Sequence, residues 1–154
     1  MFTVLLIVHG LCAVALLGAI THQALAVWWP ARAAGGFVTR FRGVPGAGYT
    51  NAIIVLFVLT FLLGAVIYPP YRLVVRTYLE NARLWTANGS FELKEQFAAI
   101  GLGMLPFYWF VWRQPLDEAL AFSRRATAAI LCFIVWFGFL VGHVLNNIRG
   151  LFGQ

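Results

Sequence analysis

The chain has 154 residues, of which 62% are hydrophobic and only 10% charged, and its mean hydropathy is +0.84. Soluble domains are close to half apolar and a quarter charged, so this composition excludes an ordinary water-soluble domain and fits a protein immersed in a bilayer. The net charge of +6 does not indicate a nucleic-acid binder, because the arginines are dispersed around helix ends and form no basic stripe or stacking motif.

Crossing the hydrocarbon takes about 20 apolar residues per helix. Four segments approach or meet that length: Phe2–Ala26, Asn51–Tyr68, Phe97–Trp112 and Ala126–Leu145. They predict an all-α integral membrane protein, an up-down four-helix transmembrane bundle in a single domain. Its helices are expected over about 2–27, 51–68, 91–113 and 126–147, with both termini on the same side. The first segment is a membrane helix rather than a cleaved leader, since it lacks a basic start and a small-residue cleavage site. It carries no Lys or Arg before it and three Arg after it (Arg32, Arg40, Arg42), which favours termini on the outer, periplasmic side of a bacterial-type inner membrane. Trp28, Trp29, Trp109 and Trp112 would then form a cytoplasmic aromatic belt.

The loop after helix one, WWPARAAGGFVTRFRGVPGAGYT, is rich in Gly and Pro and has no helical apolar stripe. The second loop, PPYRLVVRTYLENARLWTANGSFELKEQ, reads as partly helical, with Leu73, Val74, Leu79 and Leu84 along the membrane interface. Asn88-Gly89-Ser90 matches a glycosylation sequon but reads better as a turn before a helix that Ser90 caps, with Glu92 and Glu95 at the positive end of its dipole. Pro106 lies inside that third helix. Cys12 and Cys132 each sit alone in an apolar segment and read as small hydrophobes.

The three histidines, His9, His22 and His143, all lie in apolar segments. In an up-down bundle the start of helix one and the end of helix four share a side. At about 1.5 Å per residue, His9 and His143 both fall roughly 9–12 Å inside their helix ends. Two imidazoles at matched depth on antiparallel helices predict the two axial ligands of one haem b iron. Gly10, Gly138 and Gly142 flank them and would leave clearance for a planar macrocycle. The alternative reading of Gly138 and Gly142 is close helix packing, and that of a membrane histidine is a ring bonded to a nearby carbonyl. His22 stands about 140° around the helix from His9, which argues against a second haem. Arg72 and Arg76, spaced i, i+4, and Lys94 present cations on the His9 side, for haem propionates, lipid phosphates or partner carboxylates.

A histidine early in helix one within LLIVHGLCAVALLGAI and a lysine opening helix three within FELKEQFAAIGLGMLP resemble a known four-helix membrane group. That group holds the HemJ-type protoporphyrinogen oxidases and the CopD-like proteins. The resemblance implies haem binding and activity at the positions of His9 and Lys94. The chain departs from the pattern by carrying His143 in helix four and by the sequence of its second loop.

The leading expectation is a b-type cytochrome-like subunit. It would bind one haem b through His9 and His143 and pass electrons within a larger membrane redox complex, with other membrane subunits and a quinone as partners. A haem-free accessory subunit and a HemJ-like oxidase are the alternatives. No nucleophile–base pair, phosphate-binding loop, zinc motif or paired intramembrane carboxylates point to an enzyme acting by itself or to an ion pump.

Overall fold

The structure is a computed structural model that describes residues 2–28 and 45–152, with side chains over residues 3–28 and 45–147. Outside these lie most of the first loop, with its three arginines, and Trp29. The described residues form α1 (Phe2–Trp28), a 3₁₀ turn (Gly46–Tyr49), α2 (Thr50–Pro70), a π-helical segment (Tyr71–Arg76), α3 (Thr77–Asn81), α4 (Trp85–Arg113) and α5 (Ala121–Phe152). Among the described residues, three stretches are long and apolar enough to cross a membrane: Thr3–Trp28, Gly46–Asn81 and Ala121–Asn147. The fourth long helix, α4, carries Glu92, Lys94 and Glu95 in its first half, which dilutes its hydropathy.

Pro69 and Pro70 do not end the second helix as expected. The backbone stays helical through Pro70 (φ −61°, ψ −36°) and passes into the π-helical segment. Two successive prolines remove two amide donors, and a widened turn is a standard way for a helix to absorb lost donors without breaking. The chain reverses instead at Ala82–Leu84. There Arg83 adopts a left-handed φ of 57°, the Arg83 amide donates to Glu80 O (3.0 Å) and the Leu84 amide donates to Leu79 O (2.8 Å). Those bonds close the C-terminus of α3 much as a glycine-bearing cap would. The Asn88-Gly89-Ser90 turn is therefore corrected: all three residues lie inside α4, and Asn88 is buried. The interfacial assignment is half corrected. Leu73 and Val74 are exposed, but Leu79 is buried with Phe91 and Leu145, and Leu84 packs on them. α5 starts at Ala121 rather than 126, because Arg124 turns back to cap the preceding loop (below).

α1 packs on both α2 and α5, α4 packs chiefly on α5, and contact between α2 and α4 is sparse. The main core gathers at the end of the bundle where α1 finishes. It is built from Leu16, Ile20, Ile53, Phe57, Tyr108 and Leu131 among others. Gly101 sits in its tightest contact, where an added Cβ would lie 2.6 Å from Phe57 Cζ. Trp112 belongs to this core, 5% exposed, and so leaves the aromatic belt, in which Trp28 and Trp109 remain exposed. Towards the start of α1 packing loosens: no described residue of α1 before Leu16 is buried, nor any of α2 after Phe57. His9 lies in this looser half.

Candidate functional site

Seven residues separate His9 from Leu16, eleven from Ile20 and fourteen from Gln23, so at 3.6 residues per turn all four share one stripe of α1. Leu16, Ile20 and Gln23 are buried, which makes the stripe the interior face of the helix. His9 is half-buried on it and faces α2. A Cβ added at Gly64 would come 3.4 Å from His9 Cε1, and the Thr60 backbone is within hydrogen-bonding reach of the ring. Although the Thr60 backbone stands near the ring, Nδ1 of His9 makes no bond of proper hydrogen-bonding geometry, and Oγ1 of Thr60 is likewise buried without one. In an apolar interior such atoms cost free energy until something binds them.

From α4, Lys94 reaches into the same region. Its ammonium lies within electrostatic range of His9 and 4.4 Å from the centroid of the Phe91 ring. Its stem runs against α5, where a Cβ at Gly138 would meet Lys94 Cγ at 3.7 Å. Glu95 is close enough to attract the charge, yet Lys94 makes no ion pair among the described residues. An aromatic wall stands over it: Tyr71 stacks on Phe91 at 3.7 Å, and Tyr68 lies parallel to Phe91 at 6.3 Å. His9 and Lys94 are thus brought to one place. Thr60, Gly64, Tyr71 and Phe91 were not singled out from sequence. The only signal available was the pair of tyrosines bracketing Pro69-Pro70, whose aromatic face became visible only once the helix continued through the prolines.

The other predicted residues lie apart. Arg76 Nε donates to Glu80 Oε1 (2.8 Å), and its terminal nitrogen contacts Glu92 Oε1 (3.3 Å), so its charge is already matched. Arg72 is exposed on the π-helical segment. His143 is exposed and stacked on Phe139 of its own helix at 6.3 Å. Leu145, two residues on, is buried, and at about 100° per residue the two side chains point roughly 160° apart. His143 instead continues the stripe of Trp136, seven residues before it, on the outer face of α5. His9 and His143 therefore do not share a face. His22 packs on Tyr49, with ring centroids 4.6 Å apart. A Cβ at Gly10 or Gly142 would meet nothing within 4 Å and one at Gly138 only the Lys94 stem, so Gly138-x-x-x-Gly142 makes no close helix crossing among the described residues. No group of three or more His, Cys, Asp or Glu converges among the described residues.

These contents bear on whether a haem fits. An imidazole with an unpartnered buried nitrogen, a cation lacking an ion pair and an aromatic wall suit, respectively, an iron, a propionate and a macrocycle face. One-histidine ligation fits this donor set; ligation by His9 and His143 together does not in this arrangement of α5. Compared with known proteins, the chain matches no protein family, no curated protein and no solved structure.

Proposed function

We propose that the chain is a multi-pass subunit of a bacterial-type inner membrane that binds one haem b and passes electrons within a larger membrane redox complex. The observation that carries this reading is the meeting of His9 and Lys94 in the loosely packed half of the helical interior. His9 would hold the haem iron and Lys94 a propionate, with Phe91 and Tyr71 as the apolar wall. Haem, when bound, supplies one-electron chemistry. The chain's part is to orient it, neutralise it and keep water from it. The α4 segment Phe97–Trp112 acts as the fourth span beside α5, and both termini face the periplasm. Other membrane subunits and a quinone supply and remove electrons.

A second reading, a HemJ-like protoporphyrinogen oxidase, is favoured by the same pair and by the position of His143. Held by His9 alone, the haem would supply oxidation to a bound substrate rather than electron transfer only.

The visible spectrum of protein purified in detergent from haem-supplied cells tests the proposal. Wild-type protein should show a Soret band, His9→Ala should lose it, Lys94→Gln should weaken haem retention, and His22→Ala should change nothing. His143→Ala separates the ligand sets: retention of the band supports His9 alone, and loss supports both histidines after rotation of α5. Absence of a Soret band from wild type would overturn the proposal and leave a haem-free accessory subunit. Oxidation of protoporphyrinogen by the purified protein with a quinone acceptor would establish the oxidase reading.

A further inference from the structure

A lateral groove of about 320 Å³ runs between α1 and α5 on the side away from His9. Its walls include Leu25, Trp28, Ala129, Cys132, Phe133 and Trp136. Leu25, Trp28, Phe133 and Trp136 are all at least 40% exposed. Because α1 and α5 are two of the stretches apolar enough to cross a membrane, this exposure faces lipid. Both indole N–H groups are already satisfied: Trp136 Nε1 donates to Thr21 Oγ1 (2.9 Å), and Trp28 Nε1 donates to the Arg125 carbonyl (3.2 Å). The groove therefore asks for an apolar occupant along its length, since the Thr21 hydroxyl on its wall and both indole N–H groups are already engaged.

Its ends differ. Residues 125, 129, 132 and 136 form one stripe of α5 by the i, i+4, i+7 rule, so Arg125 stands at the end nearest the loop. The side chain of a helical residue leans towards the helix start, here outward along the membrane normal. Arg125 is exposed and has no ion pair among the described residues. Its neighbour Arg124 is the opposite case. It is 4% exposed, and its guanidinium donates to the carbonyls of Val111 (2.9 Å), Asp117 (3.0 Å) and Pro115, which leaves it nothing for a ligand. From Arg125 to Trp136 the stripe rises about 16 Å at about 1.5 Å per residue. One leaflet of a roughly 30 Å hydrocarbon core is about 15 Å deep.

We propose that this groove is a binding site for one anionic phospholipid of the leaflet on the loop side. Its phosphate lies on Arg125, and an acyl chain fills the groove as far as Trp136. A cation at headgroup level, a tryptophan at the interface and an apolar channel one leaflet deep match the three parts of that molecule. The site is independent of haem binding.

The test is fluorescence quenching of the full-length protein reconstituted in phosphatidylcholine vesicles. The vesicles contain increasing fractions of either phosphatidylglycerol or phosphatidylcholine brominated midway along the acyl chain. The Trp136 signal is the difference between wild type and Trp136→Phe. It should be quenched at an about fivefold lower fraction of the brominated anionic lipid than of the zwitterionic one, the preference that one basic side chain near a charged surface confers. Arg125→Gln should remove the preference and Arg125→Lys should keep most of it. Equal quenching by both lipids in wild type would overturn the proposal, as would an unchanged preference in Arg125→Gln. Protection of Trp136 from both lipids would also overturn it and would mean that a partner helix covers the groove.

Discussion

Removal of one hydroxyl from Tyr108 is a sharp probe of how this bundle is held together. Tyr108 and Gln23 are both 0% exposed, and the Tyr108 hydroxyl donates to Gln23 Oε1. The Gln23 amide in turn donates to the Gly46 carbonyl (3.0 Å) and to Thr50 Oγ1 (3.3 Å). One glutamine thus joins α1, α4, the 3₁₀ turn and the start of α2. Tyr108→Phe leaves Gln23 Oε1 without this donor in a dry interior, where an orphaned acceptor costs about 1–3 kcal/mol in soluble proteins. In a bilayer the unfolded helices also find partners, and interhelical bonds average about 0.6 kcal/mol, with a maximum near 1.7. Complete burial of both groups places this bond in the upper part of that range, so a loss of about 1–1.7 kcal/mol is expected. Gln23→Leu keeps the volume but strips partners from Gly46, Thr50 and Tyr108 together, and should cost more, about 2–3 kcal/mol. The double variant should cost less than the sum of the two, because the tyrosine bond can be lost only once. Equilibrium unfolding in mixed micelles of rising SDS fraction, followed by circular dichroism, measures all three. A loss below about 0.3 kcal/mol for Tyr108→Phe, or strict additivity in the double variant, would refute the reasoning.

Gly101→Ala should destabilise by about 1–3 kcal/mol through overpacking against the buried Phe57 ring, and Phe57→Leu in the same chain should restore part of the loss. Arg124→Gln should expose the 114–120 loop to limited proteolysis, because the carbonyls of Val111, Pro115 and Asp117 lose a charged donor worth about 1.5–3 kcal/mol; Arg125→Gln should leave cleavage unchanged. Arg76→Gln should loosen the attachment of the π-helical segment to α4 only slightly, since its pairs with Glu80 and Glu92 are partly exposed, and the loss should shrink in high salt; thermal unfolding at low and high salt checks this.

The helical class and the approximate places of the long helices were legible because composition and apolar run length depend on no tertiary contact. Boundaries were not. Pro69-Pro70 reads as a stop in sequence, yet the chain passes through it in a π-helical turn, and the reversal is made by Arg83, a residue type that does not announce a left-handed backbone. Asn88-Gly89-Ser90 looked like a turn because local propensity was weighed without the packing of Leu79, Leu84 and Phe91 that pulls these residues into α4. At the site, His9 stands out in sequence as a polar ring in an apolar helix, and Lys94 as a cation on its side of the bundle that the family resemblance also marks. Depth along the axis was predicted for His143, but depth does not fix rotation about the axis, and rotation sets which face a side chain occupies. Gln23 went unremarked beside His22, although it is the residue that the core is built around.

Packing density is uneven along the bundle axis, and this divides the molecule into two parts of different stability. The half closed by Gln23 and the Phe57–Gly101 contact can open only by breaking buried hydrogen bonds and an interlocked core. The half containing His9 has few buried side chains, so its helices separate at a smaller free-energy cost. Amide exchange should therefore be slowest around Ile20, Gln23, Ile53 and Tyr108 and progressively faster towards the start of α1. The first turns of α1 and α4 and the last turns of α2 can therefore part while the opposite ends of the helices keep their register, which makes the anchored end a fixed pivot for the other.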